Sequence, residues 1–248
     1  MNLSDFFKEN RKAALAFSGG VDSAYLLYAA KAAGADVLAY YVKSAFQPQF
    51  ELEDAKRLCG ELNAGLKILT ADVLADQAVR ENPADRCYHC KKMIFTTIAE
   101  AAKADGYGML LDGTNASDEE GDRPGMRALR ELWVRSPLRE CGLTKEEIRR
   151  LSREAGLFTW KKPAYACLAT RIPAGEEITA EKLKSTEAAE DFLFSLGFTD
   201  FRVRRFDGAA RLQFPASQLA RVLEKREEIV RELKKYYQAV LLDMEART

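Results

Sequence analysis

A six-residue turn, Ser18-Gly19-Gly20-Val21-Asp22-Ser23, joins a short apolar run, Ala13–Phe17, to a segment, Ala24–Ala33, whose apolar residues Leu26, Leu27 and Ala30 recur at helical spacing. A strand that passes through two glycines straight into a helix leaves few folds open. It fits a parallel α/β layer, with the turn at the carboxyl end of a strand. Glycine has no Cβ, so the backbone of such a turn approaches an anion closely. The helix N-terminus adds unpaired N–H groups and the positive end of its dipole. Ser18 and Ser23 add hydroxyl donors. A simple helix cap by Ser23 or Asp22 would account for those two side chains, but not for a strand, a glycine pair and a helix in immediate succession. The turn has no Gly-Lys-Ser/Thr ending and is therefore not a Walker A loop.

The residues downstream repeat the alternation. Val37–Val42, Leu66–Thr70 and Met109–Asp112 read as further strands buried on both faces; Glu51–Leu62 and Lys91–Lys103 read as amphipathic helices between them. The expectation is a doubly wound parallel α/β sheet over residues 1–143. Ligands in such sheets sit at the carboxyl ends of the strands, where Asp112-Gly113-Thr114-Asn115 also falls. Thr144-Lys145-Glu146-Glu147 is a capping-box pattern that opens a helix reaching about Ala155. An irregular segment, Phe158–Glu177, follows, so residues 144–178 form a connecting helix and loop. The remainder, 179–248, predicts a smaller α+β subdomain: a helix over Ala180–Leu196, strands Phe201–Phe206 and Ala210–Phe214 joined by Asp207-Gly208, a helix over Ser217–Lys235 and a last strand, Ala239–Asp243.

Composition narrows the class of partner. Lys and Arg together number 38, as do Asp and Glu, so no net field favours nucleic acid or an anionic membrane. Asp5, Lys8, Glu9, Arg11 and Lys12 interrupt any apolar core of a signal peptide, and no apolar run is long enough for a bilayer. The cytoplasm is the expected location, and the five cysteines read as thiols or metal ligands rather than a disulfide framework.

Cys87 and Cys90 form a C-x-x-C pair placed just before a helix, and Cys167 lies far along the chain in Pro163–Arg171. Three thiolates hold three corners of a four-iron cluster and leave one iron open. A structural zinc completed by Cys141 or His89 fits the spacing equally well. Cys59 reads as core and Cys141 as structural. Lys161, Lys162 and Arg171 flank Cys167 and would lower its pKa if their charges reach it. Asp22 and Asp118 suit magnesium on a polyphosphate, although Asp118 could equally cap the turn after Asn115. Arg123 and Arg127 could reach a phosphate or carboxylate, with exposed surface charge the alternative. Arg202 and Arg204 share one face of a strand. Glu190 and Asp191, on a helix, could face the site, with a solvated helix surface the favoured alternative.

The turn resembles the pyrophosphate loop of the N-type ATP pyrophosphatases, whose signature is Ser-Gly-Gly-x-Asp-Ser and which split ATP between the α- and β-phosphates to adenylate a substrate. Arg123-Pro124-Gly125, Arg135-Ser136-Pro137-Leu138, Pro163–Arg171 and Phe201-Arg202-Val203-Arg204 follow in order. With these the chain resembles, over nearly its whole length, the ATP-dependent sulfur transferases of nickel-pincer cofactor synthesis. The resemblance implies an adenine nucleotide alpha-hydrolase-like (PP-loop) fold with ATP held by Ser18, Gly19, Gly20, Asp22, Ser23, Val42, Gly113, Thr114 and Arg123, and magnesium at Asp22. It implies a pyridinium dicarboxylate mononucleotide as substrate, with its phosphate on Arg202 and Arg204, and Asp22 and Cys167 as the residues carrying the chemistry. One branch of that family sacrifices the sulfur of the residue matching Cys167 and leaves dehydroalanine; another holds a [4Fe-4S] cluster on three cysteines. With Cys87, Cys90 and Cys167 this chain resembles the second, with the first as the alternative. Gln213 departs from the glutamate expected there in many relatives. The family also implies a homo-oligomer. A tRNA thiolase with the same ATP chemistry would want a basic surface and an RNA-binding module. A nucleotide-sensing regulator would bind ATP without releasing pyrophosphate.

Overall fold

The computed structural model describes residues 2–118 and 124–247. They fall into two compact units: the first comprises residues up to Val73 together with Asp85–Lys162, the second Leu74–Ala84 together with Pro163 onward.

The first unit is built on four parallel strands, β1 (Lys12–Ala16), β2 (Asp36–Lys43), β3 (Leu66–Thr70) and β4 (Leu110–Leu111), in the order β3-β2-β1-β4. Ala13 pairs with Val37, Tyr41 with Ile68, and Leu15 with Leu111. Side chains alternate across a strand, and both faces are apolar. Ala13, Leu15, Val37, Ala39 and Tyr41 face one buried cluster; Ala14, Tyr40 and Val42 face another. The first cluster is closed by α1 (Leu3–Glu9), α2 (Val21–Ala32), α3 (Gln49–Glu61) and α8 (Lys145–Glu154). The second is closed by α5 (Arg86–Ala104) and α6 (Pro124–Glu131). This is the doubly wound α/β sheet the alternation predicts. Its order reverses between β1 and β4, so the turns leaving these two strands open the crevice in which such sheets take ligands.

α5 starts earlier than its apolar period suggests. Its buried residues include Phe95, Ile98 and Ala102, which set the period, whereas Arg86–Cys90 carries none of it. Cys87 and Cys90 therefore lie inside the first turns of a helix rather than before it. α1 is also absent from the periodicity. It spans seven residues, and its N-cap Asn2 accepts a hydrogen bond from the Asp5 amide at 2.9 Å. Two single-turn helices, α4 (Gln77–Arg80) and α7 (Pro137–Glu140), are likewise too short to show a period.

The second unit carries helix α9 (Ala180–Ser195), strands β5 (Arg202–Phe206) and β6 (Ala209–Gln213) as an antiparallel hairpin, helices α10 (Leu219–Glu224) and α11 (Arg226–Leu233), and strand β7 (Val240–Leu242) parallel to β6. Asp207 and Gly208 turn the hairpin with φ of 47° and 74°, as a tight right-twisted hairpin requires. Its core joins Leu193, Phe198, Phe201, Val203, Leu212, Phe214, Ile229 and Leu233. The single helix expected over Ser217–Lys235 is broken at Lys225 (φ −94°, ψ 7°). Val222, Ile229 and Leu233 keep helical spacing across the break, so the apolar pattern does not reveal it. Leu74–Ala84 joins this unit through Asn82, whose side-chain amide donates to the carbonyls of Pro173 at 2.7 Å and Glu176 at 3.2 Å, while the Ile178 amide donates to Arg80 O at 2.8 Å.

Candidate active site

In the first unit the turn after β1 is a compact cradle. Gly19 has φ of +72°, and a Cβ there would meet Glu51 O at 3.3 Å and Ala55 Cβ at 3.4 Å, so the turn needs glycine both for its backbone and for its packing on α3. Gly20 is the N-cap of α2 and provides no side-chain cap. The N-terminal amides of α2 consequently remain open to an anion. Ser23 Oγ receives the Ser18 amide at 3.4 Å, lies 3.2 Å from Ser18 Oγ and donates to Gly20 O at 3.2 Å.

The turn after β4 closes on this cradle. A Cβ on Gly113 would lie 2.9 Å from Ser23 N and 3.3 Å from Ser23 Cα. Asn115 Nδ2 donates to Asp22 Oδ1 at 3.3 Å. Asp112 is buried and holds its own turn, accepting from Ser136 Oγ at 2.6 Å and from Thr114 Oγ1. Asp118 Oδ2 accepts the Asn115 amide at 2.9 Å, so this carboxylate does cap its turn. Its residue also lines the cavity described next.

A cavity of about 560 Å³ opens over both turns. Ser18, Gly113, Thr114 and Asp118 line it from the loops, Asp22 and Ser23 from the first turn of α2, and Cys87 and Lys91 from α5. Gly125 admits Lys91, since a Cβ there would stand 3.0 Å from the lysine Cδ. A smaller apolar cavity, about 130 Å³, adjoins Ser18 and is lined by Tyr40, Val42, Gln47, Ile94 and Phe95. Arg123 lies outside the described residues. Arg127 stacks its guanidinium 3.7 Å from the centre of the Tyr88 ring.

Lys145 joins this site without a signal in the motif reading. Its Nζ forms an ion pair with Asp22 Oδ2, and its amide donates to Ser117 Oγ at 2.9 Å. The predicted capping box is present: Thr144 and Glu147 exchange side chain–backbone hydrogen bonds and fix the start of α8. Lysine at the first helical position opposes the helix dipole, which favours acids there. That local mismatch is the sequence signal that singles Lys145 out.

Cys87 is exposed and Cys90 half-buried. One turn apart on α5, they occupy neighbouring positions on one helical face, and paired thiols suit iron or zinc. His89 instead lies 3.5 Å from Asp85. Neither unit alone, among the described residues, gathers three His, Cys, Asp or Glu side chains into a metal site. Cys59 is buried, and burial pushes its thiol up to about 11; burial also raises Cys141. Both act as core or structural side chains.

In the second unit Cys167 is half-buried and precedes a tight turn over Leu168–Arg171. Arg171 does not stand free beside it: the guanidinium is fully buried on Glu190, with Nε 2.7 Å from Oε1. Burial alone would lower the pKa of Arg171, but Glu190 outweighs it and the net direction is upward. Glu190 is thus a core carboxylate and not the solvated helix residue expected. Lys162, in the first unit, is paired with Asp54 at 2.7 Å.

Arg202 is almost wholly buried and donates to Phe201 O at 2.7 Å and to Ala164 O. Burial, then Arg171 and Arg247, pull its pKa to about 10. Arg204 is lowered by burial and by Arg171, Arg211 and Arg247; it donates to Gln213 Oε1 at 2.6 Å and to Thr170 O at 2.7 Å. Buried arginines whose proton affinity is depressed by neighbouring arginines gain most from an added anion. Gln213 passes the contact on, donating to Asp243 Oδ2 at 2.9 Å, so a carboxylate still stands one hydrogen bond beyond the glutamine.

The family model described as Queuosine biosynthesis protein QueC matches residues 12–81, which hold β1 to β3 and the glycine turn. Uncharacterized protein slr1717 of Synechocystis sp. is 37% identical over 90% of this chain and 84% of its own length. Uncharacterized protein MJ0830 of Methanocaldococcus jannaschii is 31% identical over 98% and 93%. Pyridinium-3,5-bisthiocarboxylic acid mononucleotide synthase of Lactiplantibacillus plantarum is 33% identical over 96% of this chain and 87% of its own. Identity at that level over nearly the whole of both chains means that the chain belongs to the pyridinium-3,5-bisthiocarboxylic acid mononucleotide synthase family.

Proposed function

We propose that this protein is an ATP-dependent sulfur transferase that converts a carboxylate of a pyridinium dicarboxylate mononucleotide to a thiocarboxylate. The observation that carries the reading is the cradle at the β1/β4 crevice, where Ser18–Ser23, Gly113 and the Asp22–Lys145 pair line or border one cavity together with Cys87. The open amides of α2 and the two serine hydroxyls receive the pyrophosphate of ATP. The adenine lies in the apolar recess lined by Val42 and Phe95. Gly113 and Thr114 close over the ribose side, and Arg123 belongs to the same nucleotide set by family resemblance.

A ring carboxylate oxygen attacks the α-phosphorus, the bond to the β-phosphate oxygen breaks and pyrophosphate leaves. Sulfur then displaces AMP from the acyl-adenylate. Lys145 moves from Asp22 to the phosphate oxygens as charge builds on them. Asp22 and Asp118 would hold magnesium, which supplies charge neutralisation on the polyphosphate. Cys87, Cys90 and Cys167 would hold a [4Fe-4S] cluster, which supplies an open iron for the incoming sulfide. Arg202 and Arg204 hold the substrate phosphate, whose charge offsets the repulsion that each receives from Arg171 and Arg247.

Iron and acid-labile sulfide analysis after anaerobic purification tests the cluster. The parent chain is expected to be brown, with about four irons per chain, and Cys87→Ala to lose most of them. A colourless, iron-free parent overturns the cluster. A loss of about 34 Da from the Cys167 peptide after turnover then identifies Cys167 as a sacrificed sulfur donor. Among the described residues no helix is long and apolar enough to cross a membrane.

A further inference from the structure

Among the described residues of the second unit, Glu190 is the one carboxylate that is buried, and its partners frame Cys167. Its Oε1 accepts from Arg171 Nε at 2.7 Å and from the Val203 amide at 3.0 Å. Its Oε2 accepts from Arg171 Nη2 at 3.2 Å and from the Tyr165 hydroxyl. Tyr165 stands before Cys167 in the chain and Arg171 after it. Arg171 Nη1 then donates to Ala166 O at 3.2 Å and to Thr170 Oγ1 at 2.8 Å, and that hydroxyl donates to Cys167 O at 2.8 Å. The carbonyls on both sides of the cysteine nitrogen thus lead back, through Arg171, to one carboxylate anchored on α9 and β5.

We infer that Glu190 is a positioning residue for Cys167, fixing the backbone from Tyr165 to Arg171 and with it the direction in which the thiol is presented. Core stability does not call for such an arrangement. A buried ion pair is matched or bettered by apolar side chains of similar volume, and the same unit builds its main core cluster from apolar side chains, Leu193, Phe198, Phe201, Val203, Phe214 and Leu233 among them. Apolar packing is non-directional, whereas hydrogen bonds to a planar carboxylate prescribe angles as well as distances. The Cys167 segment has no regular secondary structure apart from its single turn over Leu168–Arg171, so directional bonds are what define its path. Arg202 and Arg204 add to it at Ala164 O and Thr170 O. The two arginines proposed to hold the substrate phosphate are therefore indexed to the same loop.

The inference rests on the reading of Cys167 as a residue that handles sulfur, and the test keeps the two apart. Amide hydrogen exchange over Tyr165–Arg171 is measured on the protein as purified, beside pyrophosphate release and thiocarboxylate formation. Glu190→Gln is expected to speed exchange in that segment by about tenfold or more, with β5 and β6 protected as in the parent. Pyrophosphate release holds and thiocarboxylate formation falls about tenfold or more, because a misplaced group costs rate without costing binding. The double variant Arg171→Met/Glu190→Met restores apolar packing and guards against a Glu190→Gln protein that fails to fold. A positioning role leaves that double variant folded, with a loosened loop and the same deficit. A folded double variant with parental loop exchange and parental thiocarboxylate formation overturns the inference. So does Glu190→Gln raising exchange uniformly through both strands. A parent chain that makes no thiocarboxylate while Glu190→Gln still loosens the loop counts against the proposed reaction and leaves the positioning of Cys167 standing.

Discussion

Lys145→Met is expected to lower ATP-dependent pyrophosphate release by about two to three orders of magnitude, the scale seen when one preorganised charge or donor is removed from a site of developing negative charge. Its melting temperature should stay close to that of the parent. The two halves of this expectation have separate causes. Lys145 occupies the first position of α8, where a positive charge opposes the helix dipole. Methionine keeps the aliphatic stem and removes that opposition. Asp22 loses an ion pair, yet its side chain is only partly buried and retains Asn115. An ion pair so placed contributes at most about 1 kcal/mol to folding. Catalysis has no comparable substitute, because no other ammonium or guanidinium among the described residues is paired with Asp22. Lys145→Arg retains the charge and should recover part of the rate. Steady-state release assays with ATP varied decide the matter: a Lys145→Met protein with the parental kcat removes Lys145 from the reaction.

Gly113→Ala is expected to destroy pyrophosphate release nearly as completely, by about a hundredfold or more, and to destabilise the chain by about 1–3 kcal/mol. The added carbon would stand 2.9 Å from Ser23 N and 3.3 Å from both Ser23 Cα and Asp22 Cβ. Two of these three atoms are backbone at the start of α2, which cannot yield without dragging the glycine cradle off the end of β1. Displacement by a fraction of an ångström disperses the amides that must converge on one anion. Gly60→Ala is the control. It lies inside α3, with nothing within 4 Å of its added carbon, and helix propensity makes it neutral or stabilising by up to about 1 kcal/mol. Thermal melts and release assays on the pair read both effects. Parental release from Gly113→Ala would mean that the turn after β4 does not press on the cradle in solution.

The fold was legible where one physical rule governs. Alternating strands and helices with apolar runs buried on both faces specify a doubly wound sheet, and the strand ends then bring Ser18–Ser23 toward Asp112–Asn115. Legibility failed where two rules compete. Arg86–Cys90 is helical because α5 is anchored by Phe95, Ile98 and Ala102 farther along, while its own residues are polar or aromatic and show no period. The break at Lys225 is invisible because the apolar spacing continues across it. Glu190 looked like surface because charged residues almost never lie in a core unpaired, and its partner, Arg171, is distant in sequence and read as a loop charge. Lys145 lay hidden inside a capping box whose structural purpose already explained its neighbours. The ion pairs that decide Glu190 and Lys145 are tertiary, and apolar periodicity carries no record of them.

Asn82 makes the second unit discontinuous along the chain. Its side chain closes on the carbonyls of Pro173 and Glu176, so a segment synthesised early is finished only by residues synthesised much later. On the ribosome the first unit's early strands are out while Leu74–Ala84 has nothing yet to join, and domains generally fold as they emerge. The loop that will carry Cys167 is thereby stitched to the chain at two places remote in time of synthesis. A fragment beginning at Pro163 would lack one of them, and should emerge as a unit with its Cys167 segment unmoored at the Ile172–Glu176 end.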